Sequence, residues 1–335
     1  MVREVWARVA EDYAPFDVDV TTQQPATGGL VRTSLSDATY GTRVAFTGGA
    51  VQQAICSSCG GIAWIGTFDD TSASETRSPA WVFPSAIGNR AKFMAEAASH
   101  EAGHTLGLNH DGTTATNGAY YSGTALWGPI MGSPYDSRVT QWSRGDYARA
   151  SNHEDDLAVI TATGLPYRPD EAGQTTATAG GLTDAGSASG VVAGKGDQDW
   201  YAVDDCTGTL TATATPAAVG PDLDIRLDLR DAAGTVLATS APATAALGSG
   251  DLGAWLSVPR TGGPYYLAVS GGGSGAGGAS GWSTGGYDAY GSLGAYRLAM
   301  GGCSGLARCH LLRRRPPGRA RPRVRTWHTA SAAGG

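Results

Sequence analysis

The stretch His100–Asp111, H-E-A-G-H-T-L-G-L-N-H-D, places three histidines within twelve residues. On a helix, residues four positions apart lie on one face, so His100 and His104 project together with Glu101 beside them. The glycine three positions after the second histidine can adopt the left-handed conformation that ends a helix. The chain beyond that glycine can return His110 to the same point, so the spacing predicts three histidines around one metal ion.

Three neutral imidazoles leave one position of a tetrahedral zinc site open. The zinc ion lowers the pKa of a water in that position to about 7, and Glu101 is placed to accept its proton. Half of the six histidines of the chain lie in this one stretch, which argues against a chance match. We therefore predict a Zn²⁺ site formed by His100, His104 and His110, with Glu101 as the general base.

These twelve residues resemble the zinc signature of the metzincin metalloproteases, and Asp111 after the third histidine resembles the adamalysin (reprolysin) branch. The resemblance implies an α+β catalytic domain with a mixed twisted sheet and a zinc-binding helix. It also implies a Met-turn, for which Met131 is the candidate, with ordinary core packing as the alternative. Tyr135 is a candidate for oxyanion or substrate contact, because a tyrosine follows the Met-turn in some metzincins. Its spacing differs from theirs, so packing is the alternative.

The segments before the zinc helix have the composition of one helix followed by short strands. An amphipathic helical pattern starts at the first residues, and Asn89 is the predicted N-cap of the zinc helix. The predicted strands are residues 18–22, 43–47, 62–68 and 80–84. This order matches the metzincin layout.

The resemblance gives one of these strands a role. It implies that Ile62, Ala63, Trp64 and Ile65 form a sheet edge, along which an extended substrate adds as a further strand. An ordinary core strand is the alternative reading of the same residues.

The first helix begins without a preceding signal peptide. Related catalytic domains have a central strand before this helix. We therefore expect residues 1–163 to form a protease domain without its first strand, which would leave backbone groups of the neighbouring strand unpaired.

The composition changes after the protease domain. Residues 164–190 are rich in Pro, Thr, Ala, Gly and Ser, which predicts a linker that leads into the first strand of a second domain. In residues 191–302 apolar and polar residues alternate with period two, most clearly between Leu223 and Arg230. This alternation predicts an all-β sandwich.

Three segments of the second domain resemble the bacterial pre-peptidase C-terminal domain. They are residues 196–201, 265–269 and 286–296. Such domains accompany secreted proteases and hold substrate or Ca²⁺. Asp197 and Asp199 are therefore candidate Ca²⁺ ligands, with solvated turn carboxylates as the alternative.

The cysteines favour disulfides over metal or redox motifs, because Cys56 and Cys59 have no second C-x-x-C pair. Cys206 and Cys303 lie near the two ends of the second domain and are candidates to pair, which leaves Cys309 odd. Spacing alone leaves the connectivity open.

The charge of the chain is unevenly distributed. Residues 303–335 contain eight arginines and no acidic residue, so residues 1–302 carry a formal charge of −14 against −6 for the whole chain. An acidic folded part argues against a nucleic-acid partner. The basic end reads as a disordered tail or a frameshifted end. No apolar run is long enough to predict a membrane span.

These observations together predict a secreted, extracellular zinc endopeptidase that acts on protein or peptide substrates. The alternative is a catalytically inactive metzincin-like fragment that acts as an extracellular binding or adhesion protein through the β-sandwich. Oligomeric state and cleavage preference have no signal in the sequence.

Overall fold

The computed structural model describes residues 1–72, 77, 79–203, 205–241, 252–274, 287–304 and 325–328. The chain divides into two compact units. One consists of Met1–Arg168 with Ala320–Gly335, and the other of Pro169–Arg319. Each unit buries apolar side chains of its own.

The elements follow in chain order. In the first unit they are α1 (Val2–Asp12), β1 (Arg43–Phe46), α2 (Gly49–Ile55), β2 (Gly61–Ile62), β3 (Ala80–Val82), a short 3-10 helix (Pro84–Ile87), α3 (Ala91–Thr105), β4 (Trp127–Pro129), β5 (Val139–Gln141) and α4 (Asp156–Ala162). In the second unit they are β6 (Gly180–Gly181), β7 (Ser187–Val192), β8 (Gln198–Val203), β9 (Thr207–Pro216), β10 (Ile225–Arg230), β11 (Val236–Ser240), β12 (Ala254–Arg260), β13 (Tyr265–Gly271) and β14 (Gly294–Ser304). A last strand, β15 (Arg325–His328), returns to the first unit.

The first unit contains a mixed four-stranded sheet with the order β15-β1-β3-β2. β1 pairs in parallel with β15 and with β3, and β2 pairs with β3 in the antiparallel direction. β1 therefore has a partner on both sides, so its backbone groups are not left unpaired as expected. One of these partners, β15, lies within the segment for which the sequence predicts a disordered or frameshifted tail. Residues 18–22 form no strand, which makes that strand prediction wrong.

Helix α1 holds the zinc-motif helix α3 in place. The amphipathic pattern is confirmed, because Val5 and Val9 are buried on one side of α1. Just past this helix, the Tyr13 hydroxyl donates to Ser99 O on α3 at 2.9 Å, and Ser99 Oγ hydrogen-bonds to Asp12. Every residue of α3 from Met94 to Thr105 is buried, so this helix is fixed on all sides.

The start of α3 differs from the prediction. The N-cap is Arg90, and Asn89 lies one position earlier in the left-handed region with φ of 56°. Asn89 closes the preceding 3-10 helix instead, because its N–H donates to Pro84 O at 2.9 Å. The predicted Asn89 cap is therefore wrong by one residue.

The second unit contains two sheets, with the orders β11-β10-β13-β8-β6 and β12-β9-β14-β7. All pairs are antiparallel except β6 with β8. The predicted alternation is confirmed on β10, where Ile225, Leu227 and Leu229 are fully buried and Arg226 is exposed. The second unit is therefore β-rich throughout its described residues.

Two disulfides join the predicted cysteine pairs. Cys56 is bonded to Cys59, and Cys206, directly before β9, is bonded to Cys303 near the end of β14. Cys309 lies outside the described residues. Among the residues that the structure describes, no helix is both long enough and apolar enough to cross a membrane.

Candidate metal centre

The three histidines of the motif converge at the end of α3. His100 and His104 lie one turn apart on this helix, and the chain reverses just beyond it at Gly107, which has φ of +100°. Only glycine adopts such a conformation without strain. The reversal returns His110 to the helix, so that one ligand atom from each histidine lies within 4.8 Å of the others.

Backbone carbonyls orient the two helical histidines. His100 Nδ1 lies 2.9 Å from Ile130 O, and His104 Nδ1 lies 2.8 Å from Leu108 O. A carbonyl only accepts hydrogen bonds, so both Nδ1 atoms carry the proton and donate. Both Nε2 atoms are then unprotonated and carry a lone pair, which is the arrangement found in metal-binding histidines.

The spacing of the ring nitrogens fits a single small cation. His104 Nε2 lies 2.9 Å from His110 Nε2. Two ligands bound at about 2.0–2.1 Å in tetrahedral geometry are separated by roughly 3.3 Å, so a small relaxation accommodates zinc. The donor set of three imidazoles matches catalytic zinc sites.

The surroundings keep the imidazoles neutral. Burial, with a smaller contribution from His104, lowers the pKa of His100 to about 3. Burial also lowers the pKa of His104, and it lowers that of His110 to about 4. The neutral imidazole is the form that binds metal, so these histidines need not lose a proton to do so at neutral pH.

Glu101 is buried beside the three histidines, with 6% of its surface exposed. Its Oε2 has no hydrogen-bond partner among the described residues, and burial raises the pKa of the carboxyl group to about 8. An unpartnered carboxyl oxygen is costly to bury without compensation. A metal ion bound by the three neighbouring histidines would offset the cost of burying the Glu101 carboxyl group.

Gly61 on β2 makes room for this glutamate. A Cβ atom at position 61 would lie 2.7 Å from Glu101 Cγ and 2.8 Å from its Cδ. Real Cβ atoms do not approach so closely, so any larger residue at this position would displace the carboxyl group. The Glu101 side chain therefore occupies space that is open only because residue 61 is a glycine.

We expect Gly61→Ala to lower kcat by roughly 10- to 100-fold with metal content unchanged, because misplacing a reacting group by about 1 Å costs up to about 100-fold. Steady-state kinetics and metal analysis measure the two quantities. Gly181→Ala is the matched control, since a Cβ there meets no atom within 4 Å. Full activity in Gly61→Ala would mean that the position of Glu101 does not matter.

Met131 lies directly against α3. It is fully buried, and a Cβ on Gly103 would lie 2.7 Å from its Sδ. Its carbonyl accepts the N–H of Asp111 at 2.8 Å, and the preceding carbonyl of Ile130 holds His100. The turn that carries Met131 therefore contacts both sides of the histidine motif.

Tyr135 lies near Glu101. Its ring packs against Phe93 with centroids 4.8 Å apart. Burial, followed by the charge of Glu101, raises the pKa of Tyr135 to about 12. The phenol is therefore a hydrogen-bond donor at any physiological pH.

The predicted strand 62–68 is wrong beyond its first residue. Only Gly61 and Ile62 pair with β3. The chain then leaves the sheet, because the N–H groups of Gly66 and Phe68 donate to His104 O and Thr105 O at the end of α3. Carbonyls in the last turn of a helix point beyond its end and are open to other N–H donors, and His104 O also accepts from the Gly107 N–H at 2.9 Å. Trp64 and Ile65 are left 61% and 55% exposed.

Tyr120 lies at the site although no sequence pattern indicates it. Its ring centroid lies 4.2 Å from that of His110 and 6.0 Å from that of His100. Burial and then the charge of Glu101 raise its pKa. Tyr120 belongs to an irregular loop without periodicity, so no sequence signal places it here.

A cluster of three acidic residues lies in the second unit. Asp170, Asp197 and Asp199 each have a carboxylate oxygen within 4.8 Å of the others. Asp199 is fully buried; its Oδ2 accepts from the Tyr296 hydroxyl at 2.7 Å, and its Oδ1 has no partner in the described residues. Burial raises the pKa of Asp199 to about 8. Asp170 was not anticipated as a member of this cluster.

Residues 15–111 match the family model described as Metallo-peptidase family M12B Reprolysin-like. This match ends directly after the third histidine and contains all four residues of the candidate centre. No curated protein matches the chain.

The solved structures similar to this chain include the pre-peptidase C-terminal domain of a collagenase from Bacillus anthracis. It is 16% identical, the match covers 40% of this chain and 98% of that one, and the TM-score is 0.24. PliG from Aeromonas hydrophila, a periplasmic inhibitor of g-type lysozyme, is 11% identical, with 36% and 94% covered and a TM-score of 0.21. Both TM-scores are too low to establish a shared fold.

Proposed function

We propose, from the similarity of residues 15–111 to reprolysin-like metallopeptidases, that the chain is a zinc endopeptidase of the metzincin type. One observation carries the proposal. Three imidazoles, two of them oriented by backbone carbonyls, converge beside a buried glutamate with an unpartnered oxygen. This arrangement suits hydrolysis of an amide by water.

Zn²⁺ bound by His100, His104 and His110 would polarise the scissile carbonyl and lower the pKa of a water in its open position. Glu101 accepts the proton of the attacking water and passes it to the leaving amine. Burial raises the pKa of Glu101 to about 8, and a divalent cation bound by the three histidines would lower it again. The ionised carboxylate is then the form available at neutral pH.

The substrate is proposed to lie along β2, which among the described strands pairs with β3 alone. An extended peptide that hydrogen-bonds to Gly61 and Ile62 would lie close to Glu101, because Gly61 itself lies against the Glu101 side chain. The exposed side chains of Trp64 and Ile65 follow this edge. Tyr135 is the proposed donor to the oxyanion, since it lies close enough to Glu101 for the charge of that residue to raise its pKa.

A peptide blocked by acetylation at its N-terminus and amidation at its C-terminus tests the endopeptidase proposal. We expect mass spectrometry to find cleavage at an internal bond. Cleavage only of peptides with a free end would indicate an exopeptidase. No cleavage of any sequence in a blocked-peptide library would favour the alternative, an inactive domain that serves extracellular binding.

We propose that the protein is secreted. Two disulfides, Cys56–Cys59 and Cys206–Cys303, are supporting observations, because disulfides persist in oxidising compartments. The expected result is that the native protein is recovered from the culture medium with both bonds intact. Recovery inside the cell with reduced thiols would contradict the proposal.

We also propose that Asp170, Asp197 and Asp199 bind Ca²⁺. Oxygen donors are the ligands of this cation, and the unpartnered Oδ1 of the fully buried Asp199 is the supporting observation. A bound divalent cation would compensate the burial of a carboxylate whose pKa is otherwise raised to about 8.

Calcium at about 100 times its dissociation constant is expected to stabilise the second unit by about 2.7 kcal/mol. Thermal melts of the full chain with calcium and with a calcium chelator measure the shift. Asp199→Asn should abolish the shift, and Asp184→Asn, at an exposed turn position, should keep it. A shift that survives Asp199→Asn would place calcium elsewhere.

A further inference from the structure

One buried carboxylate on β10 holds two arginines on the solvent side of the five-stranded sheet. Asp228 is 2% exposed and accepts hydrogen bonds from Arg226 Nε at 3.1 Å and Arg230 Nη2 at 2.9 Å. The Thr239 hydroxyl donates to the same carboxylate at 2.8 Å. The two guanidinium groups are therefore fixed in position around one carboxylate, and these three side chains together carry a net positive charge.

The two arginines differ in what remains open to a ligand. Arg230 lies over the Trp200 ring, 4.7 Å from its centroid, and its Nη1 donates to Gly234 O at 3.1 Å. Arg226 has 44% of its side chain exposed, and its Nη1 makes no hydrogen bond to any described residue. Arg226 therefore presents a guanidinium edge that is fixed through Nε and open on its outer side.

Arg226 lines a cavity of about 350 Å³. Arg226 on β10 pairs with Ser270 on β13, which pairs with Gln198 on β8. Directly paired residues point to the same face of a sheet, so the three polar side chains form a row along the cavity. A volume of this size accommodates a small ligand or the end of a peptide.

The charges of the lining select the ligand group. Asp228 is already shared between two arginines, whereas Asp197, also in the lining, is held by the Ala193 N–H at 2.7 Å. The negative charge of Asp197 keeps an anion away from its side of the cavity. The Arg226 end is therefore the favourable position for an anionic group, because the planar guanidinium fork matches the two oxygens of a carboxylate.

We propose that this cavity is a binding site for a carboxylate group of a peptide, which Arg226 holds through its outer edge while Ser270 and Gln198 hydrogen-bond to the adjoining peptide group. The carboxylate belongs to the C-terminus of a peptide or to an acidic side chain. This site goes beyond the proposed peptidase activity and does not rest on it.

Titration calorimetry with the full chain tests the site. The chain carries Glu101→Gln so that peptides stay intact, and a calcium chelator keeps the acidic cluster out of the measurement. The probes are acetyl-Ala-Ala-Ala with a free C-terminal carboxylate, the same peptide as its amide, and acetyl-Ala-Glu-Ala amide. We expect the free carboxylate to bind at least ten-fold more tightly than the tri-alanine amide. If the glutamate peptide also binds, the site accepts acidic side chains as well as C-termini. If the free acid binds and the glutamate peptide does not, the site accepts C-termini only.

Variants assign the binding to Arg226. Arg226→Gln is expected to weaken binding at least ten-fold, and Arg226→Lys, which keeps the charge without the fork, to weaken it less. Arg297→Gln changes an exposed arginine of the other sheet and should bind as the parent does. The proposal would be overturned if the acid and the amide bound equally well or if no probe bound. It would also be overturned if Arg226→Gln, with an unchanged thermal melt, bound the free acid as tightly as the parent does.

Discussion

Replacement of Glu101 by glutamine is expected to lower kcat by about 10²- to 10⁴-fold while zinc stays bound, the usual range for loss of a general base. Glutamine has nearly the same shape, so the fit against Gly61 is preserved, but its amide cannot accept a proton at neutral pH. The three imidazoles are untouched, so affinity for the metal has no reason to fall. Steady-state cleavage of a quenched, end-blocked peptide measures the first quantity, and metal analysis the second.

The control for this variant is Glu4→Gln, which changes an exposed glutamate on α1 that forms only a surface pair with Arg8. It should behave as the wild type in both measurements. Retention of activity in Glu101→Gln would show that another group accepts the proton. Loss of zinc together with activity would show that Glu101 is a metal ligand.

Replacement of His104 by alanine is expected to abolish both zinc binding and activity. It removes the central ligand of the three, since His104 Nε2 lies 2.9 Å from His110 Nε2 and its ring contacts that of His100. Two remaining imidazoles cannot hold zinc with the affinity of three. Competition against a zinc-binding dye measures the affinity, and the end-blocked peptide measures activity.

His153→Ala provides the matched histidine control. His153 is exposed and belongs to no metal-competent group among the described residues. It should keep zinc and activity at the wild-type level. Equal zinc affinity in His104→Ala and the wild type would refute the proposed ligand set.

The histidine cluster is the part of the site that local sequence rules describe best. Helical periodicity places His100 and His104 on one face, and a glycine with positive φ at position 107 reverses the chain toward His110. These relations span eleven residues and depend on backbone geometry that any sequence with this spacing would share. The alternation along β10 was equally predictable, because one face of that strand is buried.

The remaining parts of the site depend on contacts between distant segments. The 62–68 segment has the composition of a strand, but the carbonyls at the end of α3 capture its N–H groups at Gly66 and Phe68. Tyr120 contacts His110 from an irregular loop. Asp170 joins Asp197 and Asp199 from a position 27 residues before Asp197. Local propensity has no information about any of these contacts.

X-ray absorption at the zinc edge of the purified full chain identifies the ligands of the metal. The proposal predicts about one zinc per chain with three imidazole nitrogens at about 2.0–2.1 Å and an oxygen in the fourth position. His104→Ala, measured in the same way, should lack this signal. A chain that purifies without zinc and takes none up, or a spectrum with sulfur ligands at about 2.3 Å, would contradict the assignment of His100, His104 and His110.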